Sequence, residues 1–409
     1  MDKDRTALFV MPRSSRDWKG AEGLWITTAG WAAAAQRRFG KAYVLTTDHV
    51  AKPEEVVKYP LEKAEVNQKS TLKKISRFFP NVIVNLVNDV LLWKSNKSKL
   101  NFKYKIPVVK DEVALVWEQH DIFPGIGYKL AKRYTVPYVV YVHAPAIWEA
   151  KKWGVKRPIW GNLLERMEAR AIKRADFVAC VSDSVSVKLE EMGIPQEKIL
   201  VSPMAMDPYL YTDIDTSDII EKEGLKDKFV VGWTGSFRSF HGVDLLVEAF
   251  GDFHKMAPDS HLLLVGDGLE IDKTKALVKK LGLEKSVSFP GRMSFRRMTE
   301  YINTFHLAVL SASKASEFHY SPMKLREYLK AGKATLAPRT GEIPKIFTDG
   351  IQLRLYDVEK IDDMTVIMLE LYKTQSTRED LGRDGKKFIL QHGTWDVELG
   401  KLMTKVEKV

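Results

Sequence analysis

Short apolar runs alternate along this chain with stretches in which apolar residues recur every three or four positions. The short runs predict buried strands, and the periodic stretches predict amphipathic helices. The strands predicted in the first half are 7–11, 43–46, 113–117, 138–142 and 177–181, with helices over about 24–39 and 163–173. Strand, glycine-containing loop, helix and strand in succession are typical of the opening of a doubly wound domain.

The same alternation of predicted strands and helices begins again at Phe229. The strands predicted here are 229–235, 261–265, 287–289, 307–310, 334–337 and 353–356, with a helix over 243–256. Such alternation predicts a parallel sheet with helices on both faces. We therefore predict two α/β domains joined near 207–228. Because ligands of open α/β sheets bind at the carboxyl ends of the strands, the loops that follow the strands carry most of the functional information.

Length and composition agree with two globular domains. The chain has 409 residues, of which 45% are hydrophobic, and a domain usually has about 150 residues. The single cysteine, Cys180, cannot form an internal disulfide, which fits a reducing compartment. No apolar run is long enough for a secretory signal or a membrane-spanning helix. We therefore expect a cytoplasmic protein, with peripheral attachment to the cytosolic membrane face as the further possibility.

The net charge of +11 is unevenly spread. Residues 61–110 contain 11 Lys and Arg residues against 3 Asp and Glu residues, with five aromatic residues among them. Basic charge mixed with aromatic residues suits an anionic surface, although a solvated helical face with long lysine stems explains the same pattern. Among functional partners we favour an anionic membrane surface over nucleic acid, because the apolar stretch 81–93 accompanies the charge and no nucleic-acid module signature does.

Two loops predict an anion site in the second half. A Ser-Pro turn at Pro322 leads into a short helix with Lys324 and Glu327, which Gly332 ends. The loop 235–242 opens onto another helix and contains Arg238. Helix N-termini and cationic side chains both favour phosphate. Two cations at two strand ends predict a cradle for a diphosphate, whose negative charge grows when it leaves.

The chain resembles a GT-B glycosyltransferase of the large retaining family 4. The resemblance rests on GSFRSFHGVDLLVEAF, HLLLVGDG, VSFPGRM, EFHYSPMKLREYLKAGKATLAPRTGEIPKIFTDG, RADFVACVSDSVSVKLEEMGI with the following SPMAMD, and Trp395 near the C-terminus. It implies two facing Rossmann-like domains with an interdomain cleft. These are an acceptor-side domain of 1–206, to which a C-terminal helix of about 385–409 returns, and a nucleotide-sugar-binding domain of 207–384. The implied reaction is sugar transfer from a nucleotide diphosphate with retention, without a cofactor or metal.

The resemblance also assigns residues. Glu327 matches the glutamate that binds the nucleotide ribose. The family's other glutamate is replaced by His319, and whether His319, Glu317 or the backbone at Tyr320 and Ser321 takes over stays open. The remaining donor-binding residues implied are Gly20, Gly23, Gly235, Ser236, Arg238, His241, Gly266, Arg292, Met293, Ser321, Pro322, Met323 and Lys324. His241 stands where a lysine is common, which implies a weaker phosphate contact.

In the first half, His143 ends a predicted strand and matches a histidine that lies near the transferred sugar. Its catalytic partners are expected to be Arg238, Lys324 and either His319 or Glu317. His120 and Asp121 are weaker candidates for the acceptor side.

Three functions remain open from the sequence. The leading prediction is a retaining glycosyltransferase whose acceptor is lipid-linked, a glycan or a polysaccharide. A nucleotide-sugar epimerase on the same fold is the second. A catalytically silent member that binds a membrane or a partner protein through residues 61–110 is the third, and the histidine at position 319 favours it.

Overall fold

The computed structural model describes residues 4–14, 22–56, 80–99, 105–123, 126–314 and 321–408. The chain divides into two compact units. Unit 1 comprises Met1–Met204 and Trp395–Val409, and unit 2 comprises Ala205–Thr394.

Unit 1 is built on a seven-stranded sheet in the order β3-β2-β1-β4-β5-β6-β7. Its strands are β1 (Arg5–Val10), β2 (Gly40–Leu45), β3 (Val50–Ala51), β4 (Val113–Gln119), β5 (Tyr138–Val142), β6 (Phe177–Cys180) and β7 (Ile199–Val201). All described pairings are parallel except the one between β2 and β3. The five strands predicted in this half are confirmed. The two short strands β3 and β7 were not predicted, because two or three residues give no readable period.

The helices described in unit 1 connect these strands. They are α1 (Glu22–Phe39), α2 (Pro53–Val56), α3 (Asn81–Lys99), α4 (Ile126–Tyr134), α5 (Ala146–Lys152), α6 (Gly161–Ile172) and α7 (Asp183–Glu191). Every residue of β4, β5 and β6 is buried, which is why these strands read as continuous apolar runs rather than as alternating ones.

Unit 2 contains a six-stranded parallel sheet in the order β10-β9-β8-β11-β12-β13. Its strands are β8 (Phe229–Ser236), β9 (Ser260–Asp267), β10 (Val287–Gly291), β11 (Leu307–Val309), β12 (Ala334–Pro338) and β13 (Arg354–Tyr356). All six predicted strands are confirmed. The order reverses between β8 and β11, the arrangement of a dinucleotide-binding Rossmann domain.

The helices of unit 2 pack on both faces of this sheet. They are α8 (Ser217–Lys222), α9 (Val243–Met256), α10 (Ile271–Lys280), α11 (Phe295–Asn303), α12 (Met323–Lys330), α13 (Ile343–Ile346), α14 (Ile361–Lys373) and α15 (Gln375–His392). One core, around Trp233, Phe250 and Leu371, includes side chains of α9 and α14. A separate core, around Ile302 and Tyr328, includes side chains of α11 and α12.

The chain returns to unit 1 later than the expected residue 385. That position lies inside α15, whose Leu381 and Ile389 are buried in the cores of unit 2. The return begins at Trp395, the first residue of α16 (Trp395–Val406). The first crossing lies after Met204 rather than after Met206, because Met206 packs in a core of unit 2.

Trp395 attaches α16 to unit 1. Its ring lies 5.4 Å from that of Trp31 on α1, and Gly30 lets the indole approach so closely that a Cβ there would lie 2.1 Å from Nε1. Arg37 adds two hydrogen bonds to Asp396, of 2.8 and 2.6 Å. Aromatic packing in a dry site therefore makes the last helix part of the first unit.

Among the described residues, no helix is long and apolar enough to cross a membrane.

Trp395→Ala tests the attachment of α16. Trp395 is 1% exposed, so removal of its indole is expected to lower the free energy of unfolding of unit 1 by about 3–5 kcal/mol. Urea denaturation measures the change. Trp153→Ala is the matched control, since Trp153 is 53% exposed, and it should cost less than about 1 kcal/mol. Equal losses of unfolding free energy in the two variants would contradict the conclusion that Trp395 attaches α16 to unit 1.

Candidate functional site

The loops after β8 and β11 meet at the point where the strand order of unit 2 reverses. In open α/β sheets this point forms a crevice at the carboxyl ends of the strands. Ser311 Oγ donates to the His241 carbonyl oxygen at 2.6 Å, and Ser313 N–H donates to that of Phe240 at 3.1 Å. The two loops predicted to bind an anion, 235–242 and the one leading into α12, therefore lie side by side.

Gly242 allows this close approach. Its φ is +57°, and a Cβ there would lie 2.4 Å from the backbone carbon of Ala312. An L-residue at this position would both strain the backbone and push the second loop away.

The Lys324 side chain reaches from α12 to the end of β8, beside Trp233 and Gly235. Its Nζ is buried and has no hydrogen-bond partner among the described residues. The Nζ lies 4.4 Å from the centroid of the Trp233 ring, close enough for a cation–π contact. Burial lowers the pKa of Lys324 to about 7, against the opposing charge of Glu327. A cation in this position is short of a counterion, which an anionic ligand would supply.

Gly235 and Gly266 leave room for that ammonium. A Cβ on Gly235 would lie 2.5 Å from Lys324 Nζ, and one on Gly266 would lie 1.8 Å from the Gly235 carbonyl oxygen. Gly266 thus makes room for the protein's own backbone, and its predicted contact with the donor stays a prediction.

Glu327 lies one helical turn from Lys324 on α12. Burial raises the pKa of Glu327 to about 7, and the charges of Lys324 and then Lys330 oppose that rise. Lys330 is itself engaged, since its Nζ donates to the Asp207 carbonyl oxygen at 2.8 Å. Of the two lysines whose charges act on Glu327, Lys324 is therefore the one without a hydrogen bond to the described residues.

Tyr328 and Trp233 complete the site, and the sequence analysis identified neither. The Tyr328 hydroxyl accepts a hydrogen bond from Thr234 N–H at 2.8 Å and lies 3.0 Å from Thr234 Oγ1. This bond fixes α12 against β8. The only sequence signal was an aromatic residue in each of the two predicted elements, which is typical of ordinary core packing.

His241 carries no charge in this structure. Its Nδ1 lies 2.5 Å from the Ser236 carbonyl oxygen and donates to it. Burial, together with the positive charge of Lys324, lowers the pKa of His241 to about 3. A phosphate contact through its ring stays a prediction, and because Nδ1 already donates to Ser236, Nε2 would have to gain a proton to donate to a phosphate oxygen.

The other predicted donor residues are more widely spread. Arg238 is exposed at the start of the 3₁₀ turn Ser239–His241. Arg292 and Met293 follow the edge strand β10, and Met293 packs against a core of unit 2. A contact of Met293 with a base through the backbone, as the resemblance implies, stays a prediction.

The start of α12 differs from the prediction by one residue. Pro322 is the N-cap, with φ −75° and ψ 117°, and the helix begins at Met323. A proline fixes φ but not ψ, so it can stand just before a helix as well as in its first turn. Gly332, with φ +69°, follows the C-cap and ends the helix as predicted. Ser321 is buried. Gly20, Glu317, His319 and Tyr320 lie outside the described residues.

In unit 1, His143 follows β5. Its Nε2 is enclosed and has no hydrogen-bond partner among the described residues. Its ring meets that of Tyr141 edge-on, with 5.2 Å between centroids. Burial, with a smaller effect from His120, lowers the pKa of His143 to about 4, so the imidazole is neutral at physiological pH. A neutral ring with a free nitrogen can accept or share a proton.

Glu168 supports this region and was not predicted. His120 Nε2 lies 2.7 Å from Glu168 Oε1, and both side chains are buried. Glu168 also accepts the N–H groups of Ala146 and Ile147, at 2.5 and 3.4 Å, which fixes the start of α5. His120 is therefore a buried side chain with a structural role, as the partner of Glu168.

Two weaker candidates lie on other elements. Asp121 accepts a hydrogen bond from Arg13 Nε at 3.2 Å. Gly23 lies in the first turn of α1, where nothing comes within 4 Å of a Cβ built on it. Its carbonyl oxygen accepts from Thr27 Oγ1.

Two family models match the chain. The model described as Glycosyl transferases group 1 matches residues 215–388, and the one described as Glycosyltransferase Family 4 matches residues 111–209. Both models describe glycosyltransferases, so the predicted resemblance and the predicted class of enzyme are confirmed.

Individual relatives and solved structures agree with the match to these family models. An uncharacterized glycosyltransferase of Methanocaldococcus jannaschii is 24% identical over 76% of this chain and 80% of that protein. Mannosylfructose-phosphate synthase of Agrobacterium fabrum is 23% identical over 69% of this chain and 65% of that protein. The crystal structure of Anabaena HepE in complex with UDP and glucose matches 99% of this chain and 100% of that one, with a TM-score of 0.63 and 14% identity. This likeness confirms the GT-B fold.

Gly242→Ala tests the contact between the two loops. Gly224→Ala is the matched control, since Gly224 has a similar φ of +64° but nothing within 4 Å of its Cβ position. We expect about 1 kcal/mol of destabilisation for the control and at least about 2 kcal/mol for Gly242→Ala, which adds a backbone clash to the same strain. Thermal unfolding measures both. Equal losses would show that the loops do not depend on this contact.

Proposed function

We propose that this chain transfers a sugar from a nucleoside diphosphate sugar to a lipid-linked or glycan acceptor, with retention of anomeric configuration. The observation that carries the proposal is the buried Lys324 ammonium, which lacks a hydrogen-bond partner among the described residues at the switch point of a Rossmann sheet. A diphosphate supplies the negative charge that this group lacks.

In this proposal Lys324 and Arg238 bind the diphosphate, and Glu327 accepts hydrogen bonds from the ribose hydroxyls. The positive field acts most strongly as the sugar–phosphate bond breaks, because negative charge then grows on the leaving diphosphate. The same two cations balance this charge, so we propose a reaction that requires no metal. The family match and the HepE complex with UDP and glucose support a nucleoside diphosphate sugar as the donor, and UDP is accordingly the first nucleotide to test.

Retention requires the acceptor to attack from the face that the diphosphate leaves. We propose that the bond from the anomeric carbon to the phosphate oxygen breaks as the bond to the acceptor oxygen forms. The proton of the acceptor hydroxyl passes to the leaving diphosphate. His143, neutral and with an unbonded Nε2 among the described residues, is proposed to contact the transferred sugar.

Lys324→Ala tests the cradle. We expect the affinity for UDP, or for whichever of UDP, GDP and ADP binds best, to fall at least about tenfold, since a charge-assisted contact contributes about 1.5–3 kcal/mol. Isothermal titration calorimetry measures the dissociation constant. Lys255→Ala is the control, because that lysine side chain is 77% exposed on α9. Unchanged affinity in a folded Lys324→Ala protein would refute the cradle.

Turnover assays of the native chain separate the three functions. Sugar transfer that requires an acceptor supports the transferase. Isomerisation of the donor alone would indicate an epimerase, and nucleotide binding without any turnover would indicate a silent member.

The pH dependence of binding provides a second test. Because the pKa of Lys324 is about 7 in the free protein and a diphosphate binds the protonated form, the site must take up a proton to bind above pH 7. We expect the dissociation constant to rise about fivefold between pH 7 and pH 8. In Lys324→Arg the guanidinium stays charged, so the part of the rise that comes from Lys324 should disappear and only the part from Glu327, whose pKa is also about 7, should remain. The same slope in both proteins would mean that another group titrates.

A further inference from the structure

Helix α3 exposes its apolar side. Ile83, Leu86, Val87, Val90 and Leu91 are 41–48% exposed, and they follow the spacing i, i+3, i+4, i+7, i+8 of a single helical face. We call these five residues the α3 stripe. On an ordinary surface helix such a stripe faces the core, whereas among the side chains described for this helix, 81–94, the buried one is Asp89.

Polar contacts hold α3 in this orientation. Asp89 accepts hydrogen bonds from Arg157 Nε and Nη2, at 2.7 and 2.9 Å, and from Trp160 Nε1 at 2.7 Å. Asn85 donates to the Lys156 carbonyl oxygen at 3.1 Å. A carboxylate with a bidentate arginine and an indole donor is a directional anchor. The stripe therefore faces outward because the polar side of the helix is bound to the protein.

The segment 153–163, which contains the residues that contact α3, also has exposed apolar side chains. Trp153, Ile159 and Leu163 are 53%, 86% and 59% exposed, and they flank the residues that contact α3. Single exposed apolar residues are ordinary on a protein surface, but a stripe and a neighbouring segment of this kind together indicate an interaction surface.

The charge around this surface is positive. Residues 81–94 and 148–163 contain five basic and two acidic residues, and one of the acidic ones, Asp89, is bound to Arg157. Lys94, Lys152 and Lys156 are exposed. Lysines beside an exposed apolar helical face are the pattern of helices that lie in a membrane interface.

We propose that the α3 stripe, with the adjacent segment 153–163, docks on an anionic lipid surface. The apolar side chains enter the boundary between headgroups and acyl chains, and the lysines contact the phosphates. A second copy of this chain fits less well, because an isologous contact would bring two equally positive surfaces together. Of the predicted segment 61–110 the structure describes 80–99 and 105–110, and the surface proposed here takes α3 from it. The proposal does not depend on the donor-site proposal, since lipid binding needs neither donor nor acceptor.

Vesicle flotation of the full chain tests the proposal. We expect binding to phosphatidylcholine vesicles with about 30% phosphatidylglycerol, weak binding to phosphatidylcholine alone, and loss of binding as salt rises from about 0.05 to 0.5 M. Val87→Glu should weaken binding at least about tenfold. Val187→Glu is the matched control, an exposed valine on α7 of the same unit, and should bind like the native chain.

A fluorescent label gives a readout that survives if Val87→Glu does not fold. Cys180 is the only cysteine and is buried, so Leu91→Cys can be labelled with an environment-sensitive dye. Its emission should shift to the blue with anionic vesicles, and that of labelled Val187→Cys should not. Failure of the native chain to bind anionic vesicles, equal shifts in both labelled proteins, or a dimer that Val87→Glu dissociates would each overturn the proposal.

Discussion

The crevice of unit 2 depends on one costly interaction, the burial of the Lys324 ammonium beside Trp233. A buried cation without an anion loses part of its charge, and the lowered pKa of Lys324 expresses that cost. The cation–π contact with the Trp233 ring offsets only a part of this cost. The remaining cost is offset by packing elsewhere in unit 2, where the Tyr328 hydroxyl binds Thr234 and fixes the helix that carries the lysine. The site is thus ready for an anion before the anion arrives.

The glycines of this site follow from the same constraint. Gly235 gives space to the ammonium, Gly266 gives space to the backbone of Gly235, and Gly242 lets the loop after β8 touch the loop after β11. Gly242 and Gly266 remove a Cβ at a contact between backbones, and Gly235 removes one beside the ammonium, so the three act as a connected set. Their effect is geometric: they bring Lys324 to the carboxyl end of β8, where a Rossmann sheet binds its ligand.

The fold was more predictable from the sequence than the site was. Apolar runs identified β8 and β11, because a strand buried on both faces leaves a clear pattern, and the loop glycines with Arg238 and Lys324 pointed to an anion. The Trp233 contact, the Tyr328 bond and the Glu168 support of His120 left no such signal. They join residues far apart in the chain, and an aromatic or acidic residue inside an amphipathic helix predicts only ordinary packing. The charge state of His241 also needed its three-dimensional surroundings, since burial decides it.

Helix α3 shows the limit of pattern reading most clearly. Its sequence has the period of a helix that buries an apolar face, and nothing in that period says which side faces the protein. Asp89 sets the orientation of the helix, because its carboxylate is bound by Arg157 and Trp160. Placing this carboxylate against an apolar partner would cost more free energy than exposing the stripe to water. Among the residues that the structure describes, the buried cation of unit 2 has no hydrogen-bond partner and the apolar stripe of unit 1 has no cover. In both places the protein keeps a group in an unfavourable environment that a bound partner would make favourable.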